Sequence, residues 1–275
     1  MEDYKIIKIL SNNVVLVNHR DINHILLGKG IGFNRNKGDI FENLDNIESK
    51  FISLEGLSEK DSNKFMDELN PKIIELVNDI LEMAKEKLKR ELHPRINAGL
   101  IDHIQFSIKR IKDNVKIINP FLEETKLLYP MEYEVAKEAV SILSDALELE
   151  IPESEIGFLT FHICGGLNEA SKMEALENTK ILNKIIMYAK EKLNLDINPS
   201  SFDYNRFLVH LKGVINRVKR NKSIKNNLLT EIKEKNIIEY KIAYDMSKII
   251  ENQIGFKVPD DEVGYIAIHL MKLNS

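Results

Sequence analysis

An internal repeat constrains the fold of this chain more than any other feature of its sequence. Three segments of the middle third recur in the last third, each displaced by 107 residues. The matching pairs are IPESEIGFLTFHI (151–163) with VPDDEVGYIAIHL (258–270), EYEVAKEAVSIL (132–143) with EYKIAYDMSKII (239–250), and DHIQFSIKRIKDN (102–114) with VHLKGVINRVKRN (209–221). A fixed spacing of this kind predicts two copies of one structural unit. We assign the copies to residues 65–170 and 171–275.

The repeated part has the pattern of amphipathic helices. Asn70 followed by Pro71 is a typical helix start, with a capping side chain and proline in the first turn. The apolar residues that follow lie on one stripe of period 3.6, namely Ile73, Ile74, Val77, Ile80, Leu81, Ala84 and Leu88. Helical patterns dominate from here to Ser275, so each copy is predicted to be an all-α helical bundle.

Residues 1–57 have a different character. Their apolar runs are short and separated by turn residues, which is typical of a small antiparallel β module. The runs are Tyr4–Leu10, Val14–Val17, Ile25–Leu27 and Phe51–Leu54. A module of this length buries little core by itself, so we expect it to dimerise. The predicted fold is therefore multidomain: a small antiparallel all-β N-terminal module followed by two homologous all-α helical-bundle domains.

Charge and cysteine content exclude several classes of protein. The 43 acidic and 39 basic residues give a formal net charge of −4, so any nucleic-acid site must be local rather than a generally basic surface. Cys164 is the single cysteine, which excludes a disulfide framework and a cysteine zinc cluster. The N-terminus lacks the basic start of a secretory signal, and eighteen consecutive apolar residues occur nowhere. We expect a cytoplasmic protein without membrane insertion.

A glycine-rich stretch, HILLGKGIGFNRNKGD at 24–39, is the first candidate binding site. It lacks the Gly-Lys-Ser/Thr of a phosphate-binding P-loop, and its G-x-G-x-G spacing is not the dinucleotide fingerprint. Turn residues follow it, which predicts a loop held between strands. Lys29, Phe33 and Arg35 offer a charge, a stacking ring and a fork of donors, a combination that suits RNA. An ordinary glycine-rich hairpin remains the alternative.

The repeat also pairs four histidines. His103 corresponds to His210 and His162 to His269, and the two histidines of each copy are 59 residues apart. An arginine follows the first histidine by seven residues and a glutamate precedes the second by seven, which are Arg110 and Glu155 in one copy and Arg217 and Glu262 in the other. Seven residues are two helical turns, so each partner shares a face with its histidine. Three interpretations are open: histidines fixed by packing, a zinc site, or neutral imidazoles that accept a phosphoryl group, with arginines nearby to bind it.

At this point the sequence resembles the bacterial transcriptional antiterminators of the BglG family. The resemblance covers essentially the whole chain. Its motifs are KILSNNVV (8–15), LLGKGIGFN (26–34), Asp102-His103, IGFLTFHI (156–163), RFLVHLK (206–212) and VGYIAIHL (263–270). Each motif alone is weak, but their order along the chain is specific.

The resemblance implies that the β module is a co-antiterminator RNA-binding domain. Such a domain dimerises and binds a hairpin in a leader transcript, which prevents a terminator from forming. The RNA-binding residues implied in this chain are Lys8, Asn13, Gly28, Lys29, Gly30, Phe33, Asn34 and Arg35.

The resemblance further implies that the helical domains are phosphotransferase-system regulation domains, phosphorylated on His103, His162, His210 and His269. Asp102, Arg110 and Arg217 are assigned as support for the phosphoryl groups. The implied partners are the carrier HPr and a sugar permease of the phosphotransferase system, with a homodimer as the working form. The implied protein is a regulator rather than an enzyme and needs no cofactor or metal. The alternative is a phosphotransfer or metal-binding regulatory protein without RNA output.

Overall fold

The structure, a computed structural model, divides the chain into two compact units. Unit 1 comprises Met1–Asn119 and Met131–Lys172, and unit 2 comprises Pro120–Pro130 and Met173–Ser275. The described residues are 4–20, 22–41, 47, 49–52, 70–93, 95–167, 172–194, 198 and 201–273. The predicted domain limits at residues 57, 65, 170, 171 and 275, and residues 53 and 54 of the fourth apolar run, lie outside the described residues. The three domain ranges therefore stay predictions.

Unit 1 begins with the predicted antiparallel β module. Its strands are β1 (Tyr4–Ile9), β2 (Val14–His19), β3 (Ile22–Leu27), β4 (Ile40–Phe41) and β5 (Ser49–Ile52). All neighbouring strands are antiparallel, in the order β4-β1-β2-β3-β5. The predicted fold class is confirmed here, and the structure adds β4, which at two residues is too short to show an alternating pattern.

The sheet has its own apolar core. Its members are Tyr4, Ile6, Val15, Val17, Leu26, Ile31 and Phe41. Val14–Val17 of the central strand β2 is buried without interruption, whereas β1 alternates between buried and exposed positions along its first three residues. The central strand is thus covered on both faces over Val14–Val17, directly after the turn that joins it to β1.

The helical part repeats its elements along the chain. The described helices are α1 (Pro71–Leu88), α2 (Arg95–Lys112), α3 (Leu122–Leu128), α4 (Pro130–Leu147), α5 (Glu153–Leu167), α6 (Lys172–Leu193), α7 (Phe202–Lys219), α8 (Leu229–Lys235), α9 (Ile237–Ile254) and α10 (Asp260–Leu273). Helices α2 to α5 have the same lengths as α7 to α10 except for the last of each set, and all four pairs begin 107 residues apart. The repeat in the sequence is therefore a repeat in structure.

Helix α1 forms as its sequence predicts. The Asn70 side chain accepts a hydrogen bond from the Lys72 backbone N–H at 3.0 Å, and Pro71 occupies the first helical position. All seven residues of the predicted apolar stripe are buried. Lys89 ends the helix in the left-handed conformation at φ 51°.

Helix α3 belongs to the first copy by sequence but to unit 2 by packing. Leu128 lies in the apolar core of unit 2, and Lys212 donates a hydrogen bond to its carbonyl. Glu124, also buried, accepts a hydrogen bond from Asn183 at 3.0 Å. The segment Pro120–Pro130 of the predicted range 65–170 is thus grouped by packing with the second copy.

Candidate functional site

The glycine-rich loop is joined to the turn between β1 and β2. The Asn13 side-chain carbonyl accepts a hydrogen bond from the Gly30 N–H at 3.0 Å, and the Asn13 backbone carbonyl accepts one from Gly28 at 3.0 Å. Gly30 has φ +70°, a left-handed conformation that favours glycine. One asparagine therefore fixes the loop at two points.

Gly32, which was not among the predicted site residues, explains how closely the two segments approach. Its N–H donates to the Asn12 carbonyl at 2.9 Å. A Cβ atom at Gly32 would lie 2.4 Å from the Ser11 carbonyl oxygen, a contact that no side chain tolerates. The third glycine of the G-x-G-x-G run is therefore required for packing of the loop against the turn.

Most of the predicted RNA-binding residues lie at the surface. The exposed ones are Lys8, Lys29, Gly30, Phe33, Asn34 and Arg35, while Asn13 is half-buried and Gly28 is buried. The Phe33 ring is 64% exposed, an unusual position for an aromatic side chain with no role at the surface. The Arg35 guanidinium lies over the Phe41 ring at 4.6 Å. The Asn13 amide nitrogen also lies 3.5 Å from the Glu75 carboxylate of α1.

In the first copy, α2 and α5 bring the predicted histidines together around a buried carboxylate. The His103 and His162 ring centroids are 4.8 Å apart. Glu155 Oε2 lies 2.9 Å from His103 Nε2 and accepts a hydrogen bond from the Ser107 hydroxyl at 2.8 Å. Arg110 donates to the other carboxylate oxygen at 3.1 Å. Burial raises the pKa of Glu155, but contacts with His103, Ser107 and Arg110 outweigh it, so the pKa is lower than usual.

His162 is covered in this structure. It is 6% exposed, and the Lys172 ammonium nitrogen at the start of α6 lies 2.6 Å from its Nε2. Burial lowers the pKa of His162 well below its ordinary range, and the charges of His103 and Lys172 lower it further. The exposed carboxylate of Asp102 acts on Lys172, whose pKa burial lowers and Asp102 raises. Lys172 therefore covers Nε2 of His162 and adds to the effect of burial on its pKa.

In the second copy the same four positions form a different set of bonds. The His210 and His269 ring centroids are 4.5 Å apart. Arg217 donates to both oxygens of the buried Glu262 carboxylate, from Nε at 2.6 Å and from Nη2 at 2.8 Å. This bidentate pairing with Glu262 raises the pKa of Arg217.

The histidines of the second copy are held neutral. Within the described residues, the buried His210 Nε2 has no hydrogen-bond partner. Burial lowers the pKa of His210 to about 4, with the charges of His269 and Arg217 as smaller causes. Burial likewise lowers the pKa of His269, assisted by Arg206 and Lys272. A neutral imidazole keeps the lone pair that a nucleophile needs.

A difference at one position of the repeat gives the two arginines different surroundings. The residue four before the arginine is Phe106 in the first copy and Gly213 in the second. The Arg110 guanidinium lies 4.8 Å above the Phe106 ring. At Gly213 an added Cβ atom would lie 2.9 Å from Arg217 Nη1, so Arg217 occupies the space that a side chain would fill. This glycine lets Arg217 reach Glu262 with both of its donors.

The second copy also has an open cavity of about 570 Å³ beside its histidines. Its lining residues are Phe202, Asn205, Arg206, Val209, His210, Gly213, Arg217 and His269. Sequence reasoning had identified three of them as functional and missed Asn205 and Arg206. Aligning the two copies could have pointed to Arg206, because this arginine replaces Gly99 of the first copy on the helix that carries the first histidine.

Within the described part of the chain, no group of three or more His, Cys, Asp or Glu side chains is placed to hold a metal ion. Among the described helices, none is both long and apolar enough to cross a membrane.

These features define a class of protein: a β module with an exposed loop, followed by two helical copies that each hold a histidine pair beside a buried glutamate. The chain matches the CAT RNA-binding domain over residues 4–56 and the PRD domain over residues 75–165 and 183–273. It belongs to the family that combines these domains, the BglG-type antiterminators, and the resemblance drawn from its motifs is confirmed. It therefore has an RNA-binding module and two regulation domains of the phosphotransferase system.

The chain is also similar to individual proteins over most of its length, and to one solved structure over part of it. Protein GlcT of Staphylococcus saprophyticus is 32% identical over 273 residues, which cover 98% of this chain and 97% of the relative. Protein GlcT of Staphylococcus aureus is 30% identical over 98% of this chain and 96% of its own length. The crystal structure of GlcT CAT-PRDI has 34% identity and a TM-score of 0.49, covering 60% of this chain and 99% of that one.

Proposed function

We propose that this protein is a transcriptional antiterminator that binds a hairpin in a leader mRNA as a homodimer and prevents the overlapping terminator from forming. Its activity is controlled through phosphorylation of His103, His162, His210 and His269 by the sugar phosphotransferase system. The observation that carries the proposal is the presence, in one chain, of an exposed glycine-rich loop and of two histidine pairs that each lie beside a buried glutamate. The protein acts as a cytoplasmic regulator rather than as an enzyme.

The loop and turn supply the groups that RNA recognition uses. Phe33 offers a ring on which an unpaired base stacks, and Asn34 offers an amide that reads base edges. Gly30 lets the backbone approach the sugars of the wide minor groove. Lys8, Lys29 and Arg35 supply positive charge for the phosphate backbone. The Gly28 N–H donates a hydrogen bond to the Asn13 carbonyl, which holds the loop against the turn.

The histidine pairs fit the chemistry of phosphoryl acceptors. A donor such as phospho-HPr carries the phosphoryl group on a nitrogen; the lone pair of a neutral acceptor imidazole forms the new N–P bond as the donor's N–P bond breaks. The product adds a charge of about −1.5 to −2, by analogy with other phosphorylations. Such a charge beside the buried Glu155 or Glu262 favours a rearrangement of the cations around it.

The direction of control follows the family pattern. Phosphorylation of the first copy by the sugar permease inactivates, and phosphorylation of the second copy by HPr activates. The new charges change which dimer pairing is favoured, and the RNA module is competent only as a dimer.

Binding of a leader-type RNA hairpin with internal loops tests the RNA assignment. The full chain and the same chain with His210→Asp and His269→Asp are compared by fluorescence anisotropy, each with Asn13→Ala or Phe33→Ala added. Phe33→Ala should cost about 1 to 3 kcal/mol through the lost base stacking. Asn13→Ala should cost at least as much because it also releases the Gly30 N–H. Asn36→Ala, an exposed asparagine of the same loop outside the predicted face, is the matched control and should leave affinity unchanged.

Equal affinity in Phe33→Ala, Asn13→Ala and the control would show that the loop does not bind RNA. Failure of all forms to bind cognate hairpins would favour the alternative of a regulatory protein without RNA output. Unchanged activity in cells on substitution of His210 and His269 by Asp would contradict the proposed switch.

A further inference from the structure

The cavity of the second copy has polar atoms that the protein leaves without partners. Within the described residues, the buried His210 Nε2 and Asn205 Oδ1 lack hydrogen-bond partners. Both residues line the cavity of about 570 Å³ next to His269. Buried polar atoms are rarely left unpaired, since each costs free energy unless water or a ligand satisfies it. A half-turn of the Asn205 amide directs its N–H donors at the same point.

Arg217 is poorly suited to binding a phosphoryl group in this cavity, although its spacing from His210 suggested that role. Its Nε and Nη2 are both engaged by Glu262. Glu262 is fully buried and Arg217 is its cationic partner, so loss of Arg217 would leave a carboxylate uncompensated in the interior. A phosphoryl group on His210 would have to compete with that cost.

Arg206 is the second cation of the cavity, and it is not engaged in this way. It lies four residues before His210 on α7, so the two side chains share one face of the helix. Its guanidinium lies 5.3 Å above the Phe202 ring and is exposed to solvent. Its charge contributes to lowering the pKa of His269, which places it electrostatically within reach of the second histidine.

The first copy differs at the position of Arg206. Gly99 stands at the position of Arg206, and an added Cβ atom there would lie 3.5 Å from His162 Nδ1. The cation that meets His162 is Lys172, from α6. The two copies thus obtain a cation for the second histidine from different helices.

We propose that Arg206 is the phosphoryl-binding residue of the second copy and that Asn205 assists it, while Arg217 serves to hold Glu262. The ligand is a phosphate monoanion or dianion, either free or as the phosphoryl group carried by His210 or His269. The inference deepens the proposed function and rests on it for the covalent form of the ligand. A planar guanidinium matches the paired oxygens of such a group.

Titration of the full chain with inorganic phosphate at constant ionic strength tests the site without covalent modification. The readout is the chemical shift of the imidazole C–H signals of His210 and His269, assigned with His210→Gln and His269→Gln. Wild type should show saturable shifts. Arg206→Gln should weaken phosphate binding about tenfold, the effect of removing one charge-assisted hydrogen-bonding group, and Arg206→Lys should weaken it less. Arg220→Gln, an exposed arginine at the end of the same helix, is the control and should bind as wild type does.

The inference is overturned if wild type shows no saturable phosphate binding, or if Arg206→Gln binds phosphate as tightly as wild type. Incubation with HPr, enzyme I and phosphoenolpyruvate measures phosphohistidine formation, which tests the proposed function independently of phosphate binding. Phosphohistidine formation on His210 or His269 together with unchanged phosphate affinity in Arg206→Gln would leave the proposed function standing and remove the role of Arg206. Phosphate binding that depends on Arg206 without any phosphohistidine would leave the anion site standing and contradict the proposed function.

Discussion

The two helical copies hold the same histidine pair in nearly the same geometry but give the buried glutamate different partners. The ring centroids are 4.8 Å apart in the first copy and 4.5 Å apart in the second. Glu155 is shared between His103, Ser107 and Arg110, whereas Arg217 alone binds both oxygens of Glu262. In the first copy the Glu155 carboxylate contacts the His103 imidazole and orients it. In the second copy the Glu262 carboxylate is bound by Arg217 instead. The two copies share the histidine pair and differ in what surrounds it.

The largest expected effect concerns the arginine of the second copy. Arg217→Met should lower the free energy of unfolding by about 3 kcal/mol, because it leaves the fully buried Glu262 without its cation. Arg110→Met should cost only about 1 kcal/mol, because Glu155 keeps Ser107 and His103. Urea unfolding of the full chain, followed by circular dichroism, measures both.

Adding Glu262→Gln to Arg217→Met removes the uncompensated charge and should restore part of the lost stability. Equal losses for the two arginine variants would contradict the difference between the copies.

An intermediate effect is expected from the pH dependence of stability. His210 has a pKa of about 4 in the folded chain and an ordinary value of 6.5. Between these values the unfolded chain binds the proton and the folded chain does not, so the free energy of unfolding falls as the pH drops from 6.5 to 4. The contribution is fully present above pH 6.5 and amounts to about 3 kcal/mol at most.

Unfolding of wild type and His210→Gln at pH 7.5 and pH 4.5 measures this contribution. The loss of stability on acidification should be smaller in His210→Gln, because the variant has no imidazole to protonate on unfolding. Parallel losses in both proteins would mean that His210 is not held neutral by burial.

The smallest expected effect concerns the pKa values of His162 and His269, the second histidine of each copy. Lys172→Met removes a cation 2.6 Å from His162, so the pKa of His162 should rise, yet stay below its ordinary value because burial is the larger cause. Lys272→Met should raise the pKa of His269 less, because burial and Arg206 contribute more than Lys272 does. The stability cost of Lys172→Met should be about 1 kcal/mol or less. NMR titration of the imidazole signals decides between these outcomes, and an unshifted His162 would rule out the covering role of Lys172.

The β module and the helical copies differ in how far their sequences predicted them. The glycine loop and the cap at Asn70 were predictable because turn and cap residues act over a few positions. Strand β4 was missed since two residues carry no alternating pattern. The need for Gly32 was also invisible, because the carbonyl that excludes its Cβ belongs to Ser11, on another part of the chain.

The sequence by itself determined the number of copies, the helical character of each copy, the pairing of the four histidines and the family. Periodic patterns and repeated motifs record these properties locally, and no knowledge of distant contacts is needed to detect them. Only the tertiary structure decided which cation meets which carboxylate. The spacing of seven residues is identical in both copies, but Gly213 in place of Phe106 alters the space that the arginine can occupy. Val214 in place of Ser107 also removes the hydroxyl that donates to Glu155 in the first copy. Side-chain partners depend on the volume left by neighbouring helices, and that volume is a property of the folded chain alone.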